Sequence, residues 1–136
     1  MKTTYSCVLI VDDDETSIFL SERIIARNRF AYEIHTSFNG EEAMNFLKEN
    51  CEQLQSSIAS CPEVILLDIN MPIMDGFEFM KEFNASTVSP NSKVIILTSS
   101  SNPRDVEMAK ELGITGYINK PLTDDKIREI QDLLIN

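Results

Sequence analysis

Four charged positions and one hydroxyl stand out because each closes or follows a short apolar run. Asp12 and Asp13 follow Cys7–Val11, Asp68 follows Val64–Leu67, Thr98 follows Val94–Leu97, and Lys120 comes just after Tyr117-Ile118. Three carboxylates gathered within a few ångström repel one another, so at neutral pH they must shift their pKa values or bind a cation. Carboxylate oxygens completed by a backbone carbonyl and waters suit magnesium, which takes few protein ligands and keeps part of its water shell. Such a cation neutralises an incoming phosphate and leaves one carboxylate to act as nucleophile. A lysine beside it offers a point charge to the phosphoryl oxygens, and a threonine hydroxyl offers a hydrogen bond. Phosphoryl transfer onto a carboxylate is the chemistry these residue types could perform together.

Taken singly, each has a commoner role. Asp after a strand caps a turn, acids such as Asp12, Asp13 and Asp14 sit at helix starts, Thr98 is an ordinary strand residue and Lys120 a solvated one. The functional reading rests on their being brought together, and the surrounding elements decide that. Cys7–Val11 is a continuous apolar run ending in acids, as in a parallel strand buried on both faces. About Asp14 to Arg29 reads as a helix with Ile18, Leu20, Ile24 and Ile25 as its apolar positions, and Tyr32–Ser37 as a more polar strand near a sheet edge. Asn39 caps a second helix with Glu42 as its capping-box partner and Ala43, Phe46 and Leu47 on one face. Val64–Leu67, a short helix from Gly76 to about Phe83, and Val94–Leu97 follow. Asn102-Pro103 opens a helix that runs to about Leu112, with Gly113 just beyond its end. Tyr117-Ile118 is the fifth strand; Thr123 caps a last helix lined by Ile127, Ile130 and Leu134. Asp75-Gly76 reads as a turn in which glycine serves backbone geometry. Cys51–Pro62 could extend the second helix or form a loop.

Five successive βα units predict an α/β fold, a doubly wound five-stranded parallel sheet covered on both faces. In such a sheet ligands bind outside the carboxyl ends of the strands, where the strand order reverses. With the flavodoxin-like order 2-1-3-4-5, the first and third strands are neighbours, so Asp12, Asp13 and Asp68 crowd together with Thr98 and Lys120 beside them.

Composition narrows the alternatives. The chain has 136 residues and a net charge of −10, from 22 acids against 12 bases. That balance repels nucleic-acid backbones and, without a Lys/Arg cluster, argues against direct nucleic-acid binding. It suits magnesium or a basic face on a partner protein. No apolar run approaches the ~20 residues of a membrane span. The N-terminus shows no secretory signal, so a cytoplasmic protein is expected. The three cysteines, Cys7, Cys51 and Cys61, form no CxxC and are accompanied by the single histidine His35. Free thiols in a reducing compartment are therefore expected, with neither a disulfide framework nor a zinc site, and with His35 a plain strand residue.

At these residues the chain resembles the receiver domain of two-component response regulators, over nearly its whole length and in the stand-alone form. The matching blocks are Val8-Leu-Ile-Val-Asp-Asp-Asp14, Leu67-Asp-Ile-Asn-Met-Pro-Ile-Met-Asp-Gly76, Val94-Ile-Ile-Leu-Thr98 and Gly116-Tyr-Ile-Asn-Lys-Pro121. The resemblance implies one receiver domain over residues 7–135 with no output domain. It makes Asp68 the phosphoacceptor and assigns magnesium to Asp12, Asp13, Asp68 and the backbone carbonyl of Asn70, with Asp13 the more direct ligand. Thr98 and Lys120 contact the phosphoryl group; Thr98 and Tyr117 are the switch pair, Tyr117 turning inward on phosphorylation. Lys120-Pro121 becomes a cis peptide, and Asn70 and Ser100 fall where the family tunes phosphoryl lifetime. The implied partners are a histidine kinase or histidine phosphotransfer protein and a downstream protein target. The state is a monomer or a phosphorylation-dependent dimer, and the role is that of a switch rather than an enzyme.

Three rivals fit less well. From Asp12 an EF-hand loop would put Ser17 where glycine is required and Arg23 where glutamate is; from Asp68 its fifth position is Pro72. An aspartyl-phosphate hydrolase would carry an Asp-x-Asp pair after the first strand, whereas Asp68 follows the third and Asn70 replaces the second acid. Gly40, Gly76, Gly113 and Gly116 form neither a dinucleotide fingerprint nor a P-loop.

Overall fold

The computed structural model of the chain describes residues 3–51 and 61–135. Five strands alternate with five helices: β1 (Tyr5–Val11), α1 (Glu15–Arg27), β2 (Ala31–Ser37), α2 (Gly40–Cys51), β3 (Val64–Leu67), α3 (Gly76–Ala85), β4 (Lys93–Thr98), α4 (Pro103–Glu111), β5 (Gly116–Asn119) and α5 (Asp124–Ile135). The strands form one parallel sheet in the order β2-β1-β3-β4-β5, the doubly wound order expected from the sequence.

The apolar runs of β1, β3 and β4 have no polar alternation because both faces are covered. Leu9, Val11, Ile65, Leu67, Val94 and Ile96 face one core, with Ala43, Met44 and Leu47 of α2, Phe79 and Met80 of α3, and Ala109 of α4. Val8, Ile10, Val64, Leu66, Ile95 and Leu97 face the other, with Ile18 and Ile25 of α1 and Ile127, Ile130 and Leu134 of α5. Each large aliphatic side chain buried in these layers contributes about 1.5–3 kcal/mol. β2 is one of the two edge strands, and its Tyr32 is exposed.

Helix boundaries follow local chemistry. Asp14 caps α1 by accepting from the Thr16 N–H, and Arg29 takes a left-handed φ of 51° just beyond the helix's end. Asn39 accepts from the Glu42 N–H, while the Glu42 carboxylate accepts from Phe38, one residue ahead of the cap. Asp75 does more than turn the chain: it caps α3 in a reciprocal capping box with Glu78. Asn102 caps α4 ahead of Pro103, and Thr123 Oγ1 accepts from the Lys126 N–H at the start of α5.

Two findings bear on the cysteines and on Cys51–Pro62. α2 extends as far as Cys51; residues 52–60 lie outside the described part of the chain. Cys51 and Cys61 are joined by a disulfide, which corrects the expectation of free thiols at these two positions; Cys7 keeps its thiol, and it is buried. The physical reason is topological. A crossover helix runs back to the amino end of the sheet, so the last residue of α2 arrives beside the entry to β3. The two Cα atoms are 4.9 Å apart despite ten positions of sequence separation. Cysteine number and spacing in the sequence carry no trace of that meeting. No helix among the described residues is long and apolar enough to cross a membrane.

Candidate functional site

The parallel ladder continues past the strand ends and fixes the backbone of each polar residue. Val11 pairs with Leu67, and one residue on, the Asp68 N–H donates to the Val11 carbonyl at 2.9 Å. The Asp12 N–H donates to Ser37, and the Lys120 N–H to the Thr98 carbonyl. Asp12, Asp68, Thr98 and Lys120 therefore rise from one level at the carboxyl edge of the sheet. Gly76 closes the floor beneath them. A Cβ there would lie 2.5 Å from the Asp68 carbonyl oxygen and 2.8 Å from the Ile69 Cα, so only glycine lets α3 begin so near Asp68.

Lys120 bridges the carboxylates. Its Nζ lies 2.7 Å from Asp12 Oδ2 and 3.2 Å from Asp68 Oδ2. Burial alone would lower the lysine's pKa; the hydrogen bond to Asp12 and the charges of Asp68 and Asp12 outweigh it and hold the ammonium above its ordinary value. Asp12 is further fixed by the Ser17 hydroxyl at 2.9 Å and the Asp14 N–H at 3.0 Å, and Asp68 Oδ1 accepts from the Ile69 N–H at 2.8 Å. Asp12 and Asp68 are only 2% and 7% exposed, so these charges act in a weakly screened setting.

Asp13 is exposed, yet it offers a carboxylate oxygen to the same cluster: ligand atoms of Asp12, Asp13 and Asp68 all lie within 4.8 Å of one another. Against three carboxylates stands one ammonium, leaving a local charge of about −2. The donor set is entirely oxygen, which fits a hard divalent cation such as magnesium or manganese. Asn70 sits exposed two residues past Asp68.

Thr98 and Tyr117, the expected switch pair, both meet Ser100. Thr98 is fully buried, and its Oγ1 accepts from the Ser100 N–H at 3.4 Å; no hydrogen bond joins it to Asp68 among the described residues. The Tyr117 ring packs against the α2–α4 core and its hydroxyl donates to the Ser100 carbonyl at 2.9 Å. Its pKa is raised, by burial first and by the charges of Asp105 and Asp68, partly offset by the Ser100 bond.

Sequence reasoning missed three supporting residues. Ser17 orients Asp12, and its only signal was a small hydroxyl one turn into a helix that starts at the site. Asn119 donates to the Ser100 carbonyl at 2.8 Å, so that carbonyl ties β5 to the loop after β4 through two donors. Lys126 donates to the Asn119 and Pro121 carbonyls around the cis Lys120-Pro121 bond. The cis bond itself is as the resemblance implied.

A second cluster, Cys7, Glu33 and His35, lies across β1 and β2. The His35 ring bonds to Glu33 at 2.7 Å and packs on Phe46, while burial and the nearby Glu33 and Glu63 push the Cys7 thiol up to about 12. A thiol that firmly protonated is a poor metal ligand at neutral pH.

Comparison with known proteins agrees with the geometry. The family model described as "Response regulator receiver domain" matches residues 8–132. The chain is 32% identical over 117 residues to a "Probable cyclic di-GMP phosphodiesterase" of Vibrio cholerae, covering 85% of this chain and 23% of that one. It is 30% identical over 113 residues to "Response regulator Rcp1" of Synechocystis, covering 83% and 75%. Among solved structures, a two-component response regulator from Cytophaga hutchinsonii superposes with a TM-score of 0.83 at 31% identity, over 100% of this chain and 99% of that one. The Mn(2+)-bound form of Rcp1 superposes with a TM-score of 0.72 at 28% identity, over 93% and 90%. The chain belongs to the response-regulator receiver family, the phosphorylation-activated switch of two-component signalling.

Proposed function

We propose that Asp68 is the residue that takes the phosphoryl group. The observation that carries this reading is the cluster of Asp12, Asp13 and Asp68 bridged by Lys120 at the ends of β1, β3 and β5. Asp12, Asp13, Asp68 and the Asn70 backbone carbonyl would hold Mg2+, which supplies charge neutralisation for an approaching phosphate. The Mn(2+)-bound relative supports a hard cation at such a pocket. A carboxylate oxygen of Asp68 attacks phosphorus, the P–N bond to a phosphohistidine breaks, and its electron pair returns to the imidazole. Lys120, already 3.2 Å from Asp68, follows the charge onto the phosphoryl oxygens, and the buried Thr98 hydroxyl exchanges its Ser100 contact for a phosphoryl oxygen. Because Ser100 also accepts from Tyr117 and Asn119, moving Thr98 shifts the loop that opens α4.

The donor is a histidine kinase or histidine phosphotransfer protein, and α1 offers it a surface. Phe19 and Leu20 are exposed there at 56% and 46%, and Leu20 joins Lys120, Pro121 and Leu122 around a cleft of 260 Å³ beside the site. The output is a contact with a downstream protein from a single cytosolic receiver domain over residues 7–135, acting as a switch rather than an enzyme. Incubating the protein with Mg2+ and a small phosphodonor, and separately with unrelated phosphoesters, tests this. The expected result is no more than one phosphate held per chain and no sustained release from the esters; multiple turnover on the esters would replace the switch with a hydrolase.

A further inference from the structure

The disulfide between Cys51 and Cys61 lies at the amino end of the sheet, away from the acidic cluster, and a serine hydroxyl lies against both sulfurs. Ser89, only 4% exposed, holds its Oγ 3.4 Å from Cys51 Sγ and 3.5 Å from Cys61 Sγ. The same hydroxyl contacts Ser92 Oγ, and Ser92 in turn donates to the Pro62 carbonyl. Ser89 can thus turn its proton between Ser92 and sulfur. Both cysteines are half-buried, and with Glu63, Val88 and Ser92 they line a cleft of 550 Å³.

We propose that Cys51–Cys61 is a reversible thiol/disulfide site that exchanges with low-molecular-weight thiols and disulfides of the glutathione class. In the reducing direction a thiolate attacks Cys61 Sγ, the S–S bond breaks, and Cys51 leaves as a thiolate that the Ser89 hydroxyl meets with a hydrogen bond. Cys51 takes a proton from solvent. A second thiol then attacks the mixed disulfide at the small molecule's sulfur, releasing Cys61 as a thiol and the small molecule as its disulfide. Two thiols are oxidised and one protein disulfide is reduced; the oxidising direction is the reverse. Cys7 does not join in, because it is fully buried and its thiol is held protonated. The exchange therefore stays within one pair, and its consequence is structural: reduction unties the end of α2 from the entry to β3.

The test equilibrates the whole protein in glutathione buffers from reducing to oxidising, alkylates it with iodoacetamide while folded, and counts adducts by intact mass. The expected result is two adducts at the reducing end and none at the oxidising end, with a mixed disulfide mapping to Cys61 in between. Cys7 should be labelled only after denaturation. Ser89→Ala should slow reduction about fivefold, the loss of one ordinary hydrogen bond to the leaving sulfur. Two adducts at every poise, meaning the bond never forms, would overturn the proposal. So would none even in excess dithiothreitol, and an unchanged reduction rate in Ser89→Ala would remove Ser89 from it.

Discussion

One ammonium serves two buried carboxylates: Lys120 Nζ pairs with both Asp12 and Asp68. Its removal should therefore show first as a stability effect that a cation reverses. Lys120→Met leaves buried carboxylates uncompensated, a loss of about 3 kcal/mol when one partner of a buried pair is deleted. Thermal unfolding in EDTA should register that loss, and millimolar Mg2+ should restore more stability to the variant than to the wild type. An equal response of the two to Mg2+ would mean that lysine and cation do not share the carboxylates. Gly76 is the other single position on which the site depends. Gly76→Ala would drive a methyl group into the Asp68 and Ile69 backbone, so the expected cost is about 3 kcal/mol or more, the upper range of overpacking. Urea denaturation measures it, and a near-neutral substitution would show that α3 can start farther from Asp68.

At the level of elements, much was readable because the physics was local. The runs Cys7–Val11, Val64–Leu67 and Val94–Leu97 announce strands buried on both faces, and Asn39, Asn102 and Thr123 announce helix starts. Once the strand order is set, the meeting of Asp12, Asp68, Thr98 and Lys120 follows, since all four sit at carboxyl ends. What was not readable depends on contacts between segments distant in sequence. The Cys51–Cys61 bond exists because α2 returns beside the entry to β3, and Gly76 is needed because α3 presses on Asp68, a close approach rather than a turn. Ser17 and Asn119 were missed because a hydroxyl on a helix and an amide at a strand end are ordinary until their partners are seen. The Tyr117 hydroxyl bonds to the Ser100 carbonyl and so ties β5 to the loop after β4, a contact that no local pattern announces. Tyr117→Phe should accordingly leave phosphorylation of the chain intact while raising amide exchange at residues 99–102 by about fivefold, the loss of one hydrogen bond. Unchanged exchange would free that loop from β5.

For the whole molecule, pH dependence separates the buried thiol from the acidic surface. The Cys7 thiol is raised from 9.0 to about 12, first by burial and then by Glu33 and Glu63. The unfolded chain loses this proton near its ordinary value while the native chain keeps it, so the stabilisation is full below pH 9 and is lost as pH rises toward 12. The wild type should lose about 1.4 kcal/mol per pH unit from this proton in that window, and Cys7→Ala should show a flatter alkaline limb in pH-dependent melting. Parallel limbs would place the titration elsewhere. With a net charge of −10, the same molecule should meet its phosphodonor through a basic or apolar face rather than a like-charged one. All of this converges on one acid at the end of β3. Incubation with Mg2+ and a small-molecule phosphodonor, followed by intact mass, tests it directly. The wild type should gain about 80 Da, and the gain should disappear in EDTA and in Asp68→Asn; an adduct that survives Asp68→Asn would contradict phosphorylation at Asp68.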